Sequence, residues 1–142
     1  MTRQINVFVE NKPGRLRRVT SILHDQDINI HAVEIQDRGE YGVIKLLVND
    51  PQKAHVALAD AGWAAALKDI LAVVVEDRPG TLCELAGCLD DNHINVADAH
   101  GFTLEPGREA VLCVEVDNLE EATRIVTENG FRVLGEKELY DL

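Results

Sequence analysis

Aromatic residues are scarce in this chain, with three Phe, two Tyr and one Trp among 142 residues. Basic residues are short as well, 14 Lys and Arg against 25 Asp and Glu. Together these shortages argue against a nucleic-acid binder, which needs cations clustered over phosphates and aromatics on exposed strands. The stretch Gly39-Glu40-Tyr41-Gly42-Val43-Ile44 has no aromatic after its tyrosine, unlike an RNA-binding sheet. Long apolar runs are missing too. None approaches the ~18 residues of a membrane span, and Met1-Thr2-Arg3-Gln4 leads directly into a strand without a signal-peptide core. The expected location is therefore the cytoplasm, with no membrane partner. The three cysteines, Cys83, Cys88 and Cys113, are odd in number and lack CxxC spacing. On a helix, Cys83 and Cys88 stand about 140° apart, so they read as small hydrophobes and not as a redox or metal pair. His24, His31, His55, His93 and His100 show neither HxH nor HxxxH spacing, and no GxSxG nucleophile motif occurs. No metal, cofactor or catalytic residue is expected, and the chain does not read as an enzyme.

What is present is a repeat. Val9-Glu10-Asn11-Lys12-Pro13-Gly14-Arg15-Leu16 returns 66 positions later as Val75-Glu76-Asp77-Arg78-Pro79-Gly80-Thr81-Leu82. Each copy follows a short apolar run and precedes a helical pattern, so each predicts a strand, a tight Pro-Gly turn and a helix start. Proline presets the backbone there and glycine tolerates unusual angles while allowing close approach to the main chain. The first helical N–H groups have no intrahelical partner and suit a carboxylate or other small anion.

The apolar spacing extends the repeat through the chain. Alternation predicts a strand at about 4–10, and Leu16, Val19, Ile22 and Leu23 give one buried face to a helix at about 14–26. A second strand is expected at about 28–36, a hairpin at Asp37-Arg38-Gly39-Glu40 and a third strand at about 41–48. Asp50-Pro51 starts a second helix to about Ala61, with Ala54, Leu58 and Ala61 inward, and Trp63 to Leu67 forms a short fourth strand. The second half repeats the order, with a helix at about 80–91 that buries Leu82, Leu85, Ala86 and Leu89. Ile94-Asn95-Val96 matches Ile28-Asn29-Ile30 at the same offset, and after a longer hairpin near Glu105-Pro106-Gly107-Arg108 the offset becomes 68. The tail from Glu136 is read as a last helical turn.

Strand, helix, strand, strand, helix, strand with right-handed crossovers gives a four-stranded antiparallel sheet with both helices on one face. The fold class is accordingly α+β, two ferredoxin-like βαββαβ domains in tandem, at 1–68 and 69–142. Domains this small bury limited cores. The helix-free faces also carry Val43, Leu47, Val111 and Cys113, which favours association between domains or protomers and a homodimer. Charge is uneven, with a balance of +1 over residues 1–68 and -12 over 69–142.

Two such units, each with its Pro-Gly-x-Leu turn and an Ile-Asn-Ile or Ile-Asn-Val start to the second strand, resemble tandem ACT domains over about Ile5 to Leu134. The resemblance implies a regulatory module that binds an amino acid or similar small effector between paired domains and serves amino-acid metabolic enzymes. It also implies the residues. In serine-sensing members, an Asn in the turn and an Asn at the second strand hold the ligand; here these are Asn11 and Asn29, then Asp77 and Asn95. A His preceding the turn in those members is replaced by Val9 and Val75. The implied ligand-binding set is Asn11, Pro13, Gly14, Arg15, Leu16, Asn29 and Ile30, with Asp77, Pro79, Gly80, Thr81, Leu82, Asn95 and Val96 in the second half. Chemically, the N–H groups near Gly14 or Gly80 suit the effector carboxylate. A side-chain oxygen of Asn or Asp77 suits its ammonium group, and Leu16 or Leu82 can wall its side chain. The alternative is a regulatory subunit that docks on a separate metabolic enzyme through protein–protein contacts.

Overall fold

The computed structural model describes residues 2–142. In chain order it contains β1 (Arg3–Glu10), α1 (Arg15–Asp25), β2 (Ile30–Arg38), β3 (Tyr41–Val48), α2 (Pro51–Asp60), β4 (Ala64–Asp69), β5 (Leu71–Glu76), α3 (Thr81–Asp91), β6 (Val96–Glu105), β7 (Glu109–Val116), α4 (Leu119–Glu128), β8 (Arg132–Val133) and α5 (Glu136–Tyr140). The strands form two four-stranded sheets, ordered β2-β3-β1-β4 and β6-β7-β5-β8. This is the βαββαβ order written twice, with β3 antiparallel to both β1 and β2, and β7 antiparallel to both β5 and β6. One compact unit comprises Arg3–Lys68 with Tyr140–Leu142, and the other comprises Thr2 with Asp69–Leu139.

Alternation in β1 is what builds the first unit. Ile5, Val7 and Val9 stand opposite Leu46, Ile44 and Gly42 of β3 and face the helices. They meet Val19 and Leu23 of α1 and Ala54 and Leu58 of α2, all buried. Each fully buried aliphatic side chain contributes about 1.5–3 kcal/mol. In the second unit Leu71, Val73 and Val75 meet Leu85 and Leu89 of α3 and Ala122, Ile125 and Val126 of α4 in the same way. On the opposite sheet faces, Leu47, Val111 and Cys113 are buried and Val43 is half-buried. Burial pushes the Cys113 thiol up to about 12.

The inner faces of the helices differ from the expected ones at four positions. Leu16, Leu82, Ala61 and Ala86 are exposed, Leu82 by 53%. Leu16 and Leu82 lie in the first turn of their helices. Ala61 is the C-cap of α2. In α3 the inward positions are Thr81, Leu85 and Leu89. Thr81 is buried at no loss because its hydroxyl donates to the Glu76 carbonyl at 2.7 Å.

Helix ends explain why β2 and β6 start two residues later than expected. After α1, the Asp27 N–H bonds the His24 carbonyl at 3.0 Å and the Ile28 N–H bonds the Leu23 carbonyl at 3.0 Å. After α3, His93 and Ile94 make the matching bonds to Asp90 and Leu89. These are Schellman closures, in which the residue beyond the cap takes a left-handed conformation and the next apolar residue folds back onto the helix. Asp27 (φ 56°) and His93 (φ 59°) occupy that left-handed position without being glycine. Helices α2 and α4 close identically, with Gly62 and Gly130 at the left-handed site. Ile28 and Ile94 are thereby committed to the helix end and to the core, and the strands begin after them.

Candidate functional site

The two Pro-Gly turns superimpose in their hydrogen bonding. Lys12 N–H bonds the Glu10 carbonyl at 2.9 Å, and Arg78 N–H bonds that of Glu76 at 2.9 Å. Gly14 (φ 88°) and Gly80 (φ 98°) are the N-caps of α1 and α3 in left-handed geometry, with no side chain capping either helix. Their carbonyls accept the first helical bonds, from Arg18 and Glu84 at 3.0 Å each. The remaining first-turn N–H groups at each turn therefore lack a side-chain cap, which suits a carboxylate.

Asn11 and Asp77 tie each turn to the neighbouring hairpin, with opposite polarity. Asn11 Nδ2 donates to Asp37 Oδ1 at 2.8 Å and to the Gly39 carbonyl at 2.9 Å. Asp77 Oδ2 instead accepts from the Gly107 N–H at 2.8 Å. The β6–β7 hairpin is two residues longer than β2–β3, and it presents an N–H where the shorter one presents a carbonyl. The side chain follows, an amide donor in one half and a carboxylate acceptor in the other. Both clamps are exposed.

Beside each turn lies a cavity. The first, of about 420 Å³, is lined by Phe8, Val9, Glu10, Lys12, Arg15, Arg18, Tyr41, Gly62, Trp63 and Ala64. In the second half the matching residues Val74, Val75, Glu76, Arg78, Glu109, Gly130 and Arg132 line a groove of about 660 Å³. A separate cavity of about 260 Å³ is bounded by the turn residues Glu76, Asp77 and Arg78, by Thr81 and Leu82, and by Gly101, Phe102, Thr103 and Leu112 of the sheet. A larger groove, about 720 Å³, runs along α1 and α2 past Asp25, Asp50, Val56 and Asp60, and none of the turn residues lines it. Arg78 lies between Glu76 and Glu84, and its hydrogen bond to Glu76, more than the charge of Glu84, raises its pKa above the ordinary guanidinium value.

Of the residues expected to bind a ligand, Arg15 lines the first cavity, and Asp77, Thr81 and Leu82 line the second. Pro13, Gly14, Pro79 and Gly80 shape the turns themselves. Leu16 stands exposed in the first turn of α1. Asn29 is elsewhere in its unit. Its N–H bonds Asn49 Oδ1 at 3.0 Å and its carbonyl accepts from the Asn49 N–H at 3.1 Å, beyond the end of β3 opposite to the Asn11 clamp. The eight residues of β3 separate the two ends by about 23 Å. Ile30 faces the core beside Val48. Asn95 and Val96 likewise precede the far end of β7, Val96 opposite Val116 and exposed. Within one unit, then, turn and strand-start residues do not converge.

Lys12, Arg18, Phe8, Tyr41 and Trp63 also line the first cavity; the first three lie in or beside the repeated motif, whereas Tyr41 and Trp63 arrive from segments that carry no motif. Among the described residues no cluster of three or more His, Cys, Asp or Glu is placed to hold a metal, and no helix is long and apolar enough to cross a membrane.

The family model described as an ACT domain pair matches residues 1–142. Protein BT0572 from Bacteroides thetaiotaomicron is similar in structure with a TM-score of 0.93 at 28% identity, over 99% of this chain and 96% of that one. The regulatory subunit of aspartate kinase from Thermus thermophilus, in its ligand-free form, shares the fold with a TM-score of 0.66 at 17% identity, over 89% and 90% of the two chains. No curated protein matches the sequence.

Proposed function

This chain belongs to the ACT domain pair family, and from that premise we propose that it senses a free amino acid or similar small effector at its Pro-Gly turns. Its role is regulatory and non-catalytic, and it acts in the cytoplasm. The observation that carries the reading is the twofold occurrence of a helix N-terminus capped by a left-handed glycine, with no side chain hydrogen-bonded to its N–H groups and a cavity alongside. The effector carboxylate sits on the N–H groups after Gly14 or Gly80. Its ammonium group meets a side-chain oxygen of Asn11 or Asp77 at the turn, and Leu16 or Leu82 walls its side chain. Because Asn29 and Asn95 lie a strand length from the turns of their own units, they reach an effector only at a turn outside their own unit, which we assign to a second copy of the chain. The reading therefore includes a homodimer.

The deciding experiment is thermal unfolding of the purified protein with each of the twenty amino acids at millimolar concentration. A ligand at 100 times its dissociation constant adds ~2.7 kcal/mol to the folded state. For a chain of this size the midpoint rises by roughly 5–10 °C. A rise confined to one chemical class identifies the effector. A flat panel sinks the sensor and leaves a docking subunit for a metabolic enzyme, a reading that draws on the exposed apolar side chains Val33 (52%) and Ile35 (39%) on the edge strand β2.

A further inference from the structure

The groove at the matching place in the second half, about 660 Å³ and lined by Glu76, Asp77, Arg78, Glu105, Arg108, Glu109 and Arg132, differs from the first cavity in what it can hold. Resting on the effector reading above, we propose that the first-half cavity takes an amino acid whose side chain carries a second negative charge, and that the second-half groove does not. Lys12, Arg15 and Arg18 line the first cavity against one acid, Glu10. Glu10 is already paired with Lys12 at 2.9 Å. Arg15 and Arg18 make no ion pair among the described residues. The Arg15 Nη1 atom is out of solvent and has no hydrogen-bond partner. It occupies the notch that Gly42 leaves in β3, 2.5 Å from where a Cβ on that residue would stand. A guanidinium nitrogen withdrawn from water without a partner is unfavourable, and a carboxylate or phosphate that draws the Arg15 side chain into the cavity relieves it.

Two further features agree. Arginine at 15, 17 and 18 places three cations, with no acid, at the positive end of α1. That arrangement opposes the helix dipole until an anion arrives. Phe8, Tyr41 and Trp63 supply apolar walls for the rest of the ligand. In the second half the positions of the three arginines hold Thr81, Cys83 and Glu84. In the matching groove Arg78 is paired with Glu76 and Glu84, Arg108 with Glu105, and Arg132 with Glu109 and Glu138, and Asp77 adds a further negative charge to the wall.

The test is calorimetric titration of the full chain with aspartate, glutamate and phosphoserine, each against its neutral counterpart asparagine, glutamine or serine. The comparison separates a carboxylate from a phosphate as the second charge. We expect at least one acidic ligand to bind about tenfold or more tightly than its counterpart, once per chain, with a preference that shrinks as salt is added. Arg15→Gln and Arg18→Gln should each remove most of that preference while circular dichroism stays unchanged, and Glu84→Gln in the other half should not alter it. Equal or tighter binding of the neutral counterparts overturns the inference and leaves the effector reading standing. So does a preference that survives both arginine substitutions. Absence of binding by every amino acid overturns both, with an acidic surface of another protein then the occupant of the arginines.

Discussion

Two glycines seven residues apart at α3 should respond to the same substitution with opposite signs. Gly80 caps the helix at φ 98°, and a Cβ built there meets nothing within 4 Å. Crowding is therefore not the issue; only the backbone angle is. An L-residue in left-handed geometry costs about 1–2 kcal/mol, of which the stiffer unfolded chain of alanine returns a fraction, leaving a net loss of about 1 kcal/mol. Gly87 lies inside α3, and a Cβ there also meets nothing within 4 Å. With ordinary helical angles, Gly87→Ala should gain about 0.5–1 kcal/mol from helix propensity. The pair of variants should thus differ by about 2 kcal/mol. Urea unfolding followed by far-UV circular dichroism measures this directly, provided the slopes of the transitions match that of the parent protein. In thermal scans, at about 4 °C per kcal/mol, Gly80→Ala falls and Gly87→Ala rises by a few degrees. Gly80→Asn should lie between Gly80→Ala and the parent, since asparagine tolerates the left-handed region. A neutral Gly80→Ala, or two shifts of the same sign, would refute the argument that the turn selects glycine for its backbone and not for space.

The left-handed residues that end α1 and α3 run the other way: Asp27→Gly and His93→Gly should each stabilise by roughly 1 kcal/mol, read as a rise in the urea midpoint, because both already sit at φ near 60°. Exchanging the hairpin clamps should be asymmetric. Asn11→Asp sets a carboxylate against the Gly39 carbonyl and Asp37, and should lose roughly 1 kcal/mol, whereas Asp77→Asn can still accept from Gly107 and should lose less than about 0.5 kcal/mol by the same assay. The cysteines should separate by reactivity. At pH 8 a thiol reagent should modify the exposed Cys83 first and Cys113 only on unfolding. Since the folded Cys113 thiol titrates near 12, above its unfolded value, its contribution is intact at low pH and is lost as pH rises from about 9 toward 12. Against Cys113→Ala, the parent should therefore lose extra stability over that window, and identical pH curves would contradict the burial.

The order of elements was legible because the repeat allowed each half to be read against the other. Apolar alternation in Ile5, Val7 and Val9 and the Asp50-Pro51 helix start led to strands and helices that lie where the periodicity puts them. What was not legible has physical causes. Hydrophobic spacing assigned Leu82 and Ala86 to the inner face of α3, but a threonine took the inner position by bonding a strand carbonyl, which no apolar pattern registers. Ile28 and Ile94 looked like the beginnings of strands, since an apolar residue that closes a helix and one that opens a strand are the same letter. At the turns, the motif pointed to the glycines and to Asn11. It was silent on the walls, because Tyr41 and Trp63 reach the first cavity through the sheet order and not through proximity in sequence.

Tyr140 belongs with the unit of Arg3–Lys68, where its hydroxyl accepts from the Arg3 N–H at 3.1 Å and its carbonyl lies 2.9 Å from His31 Nε2. At the other end, the Thr2 carbonyl accepts from the Ile70 N–H at 2.9 Å, within the unit of Asp69–Leu139. The duplicated halves are therefore not interchangeable cassettes. A gene fragment stopping at codon 68 encodes every strand of its sheet yet omits the tyrosine that two of its groups bind, and one starting at codon 69 omits the acceptor for Ile70. Trading one half for its counterpart would leave Tyr140 and Thr2 without the partners they now hold.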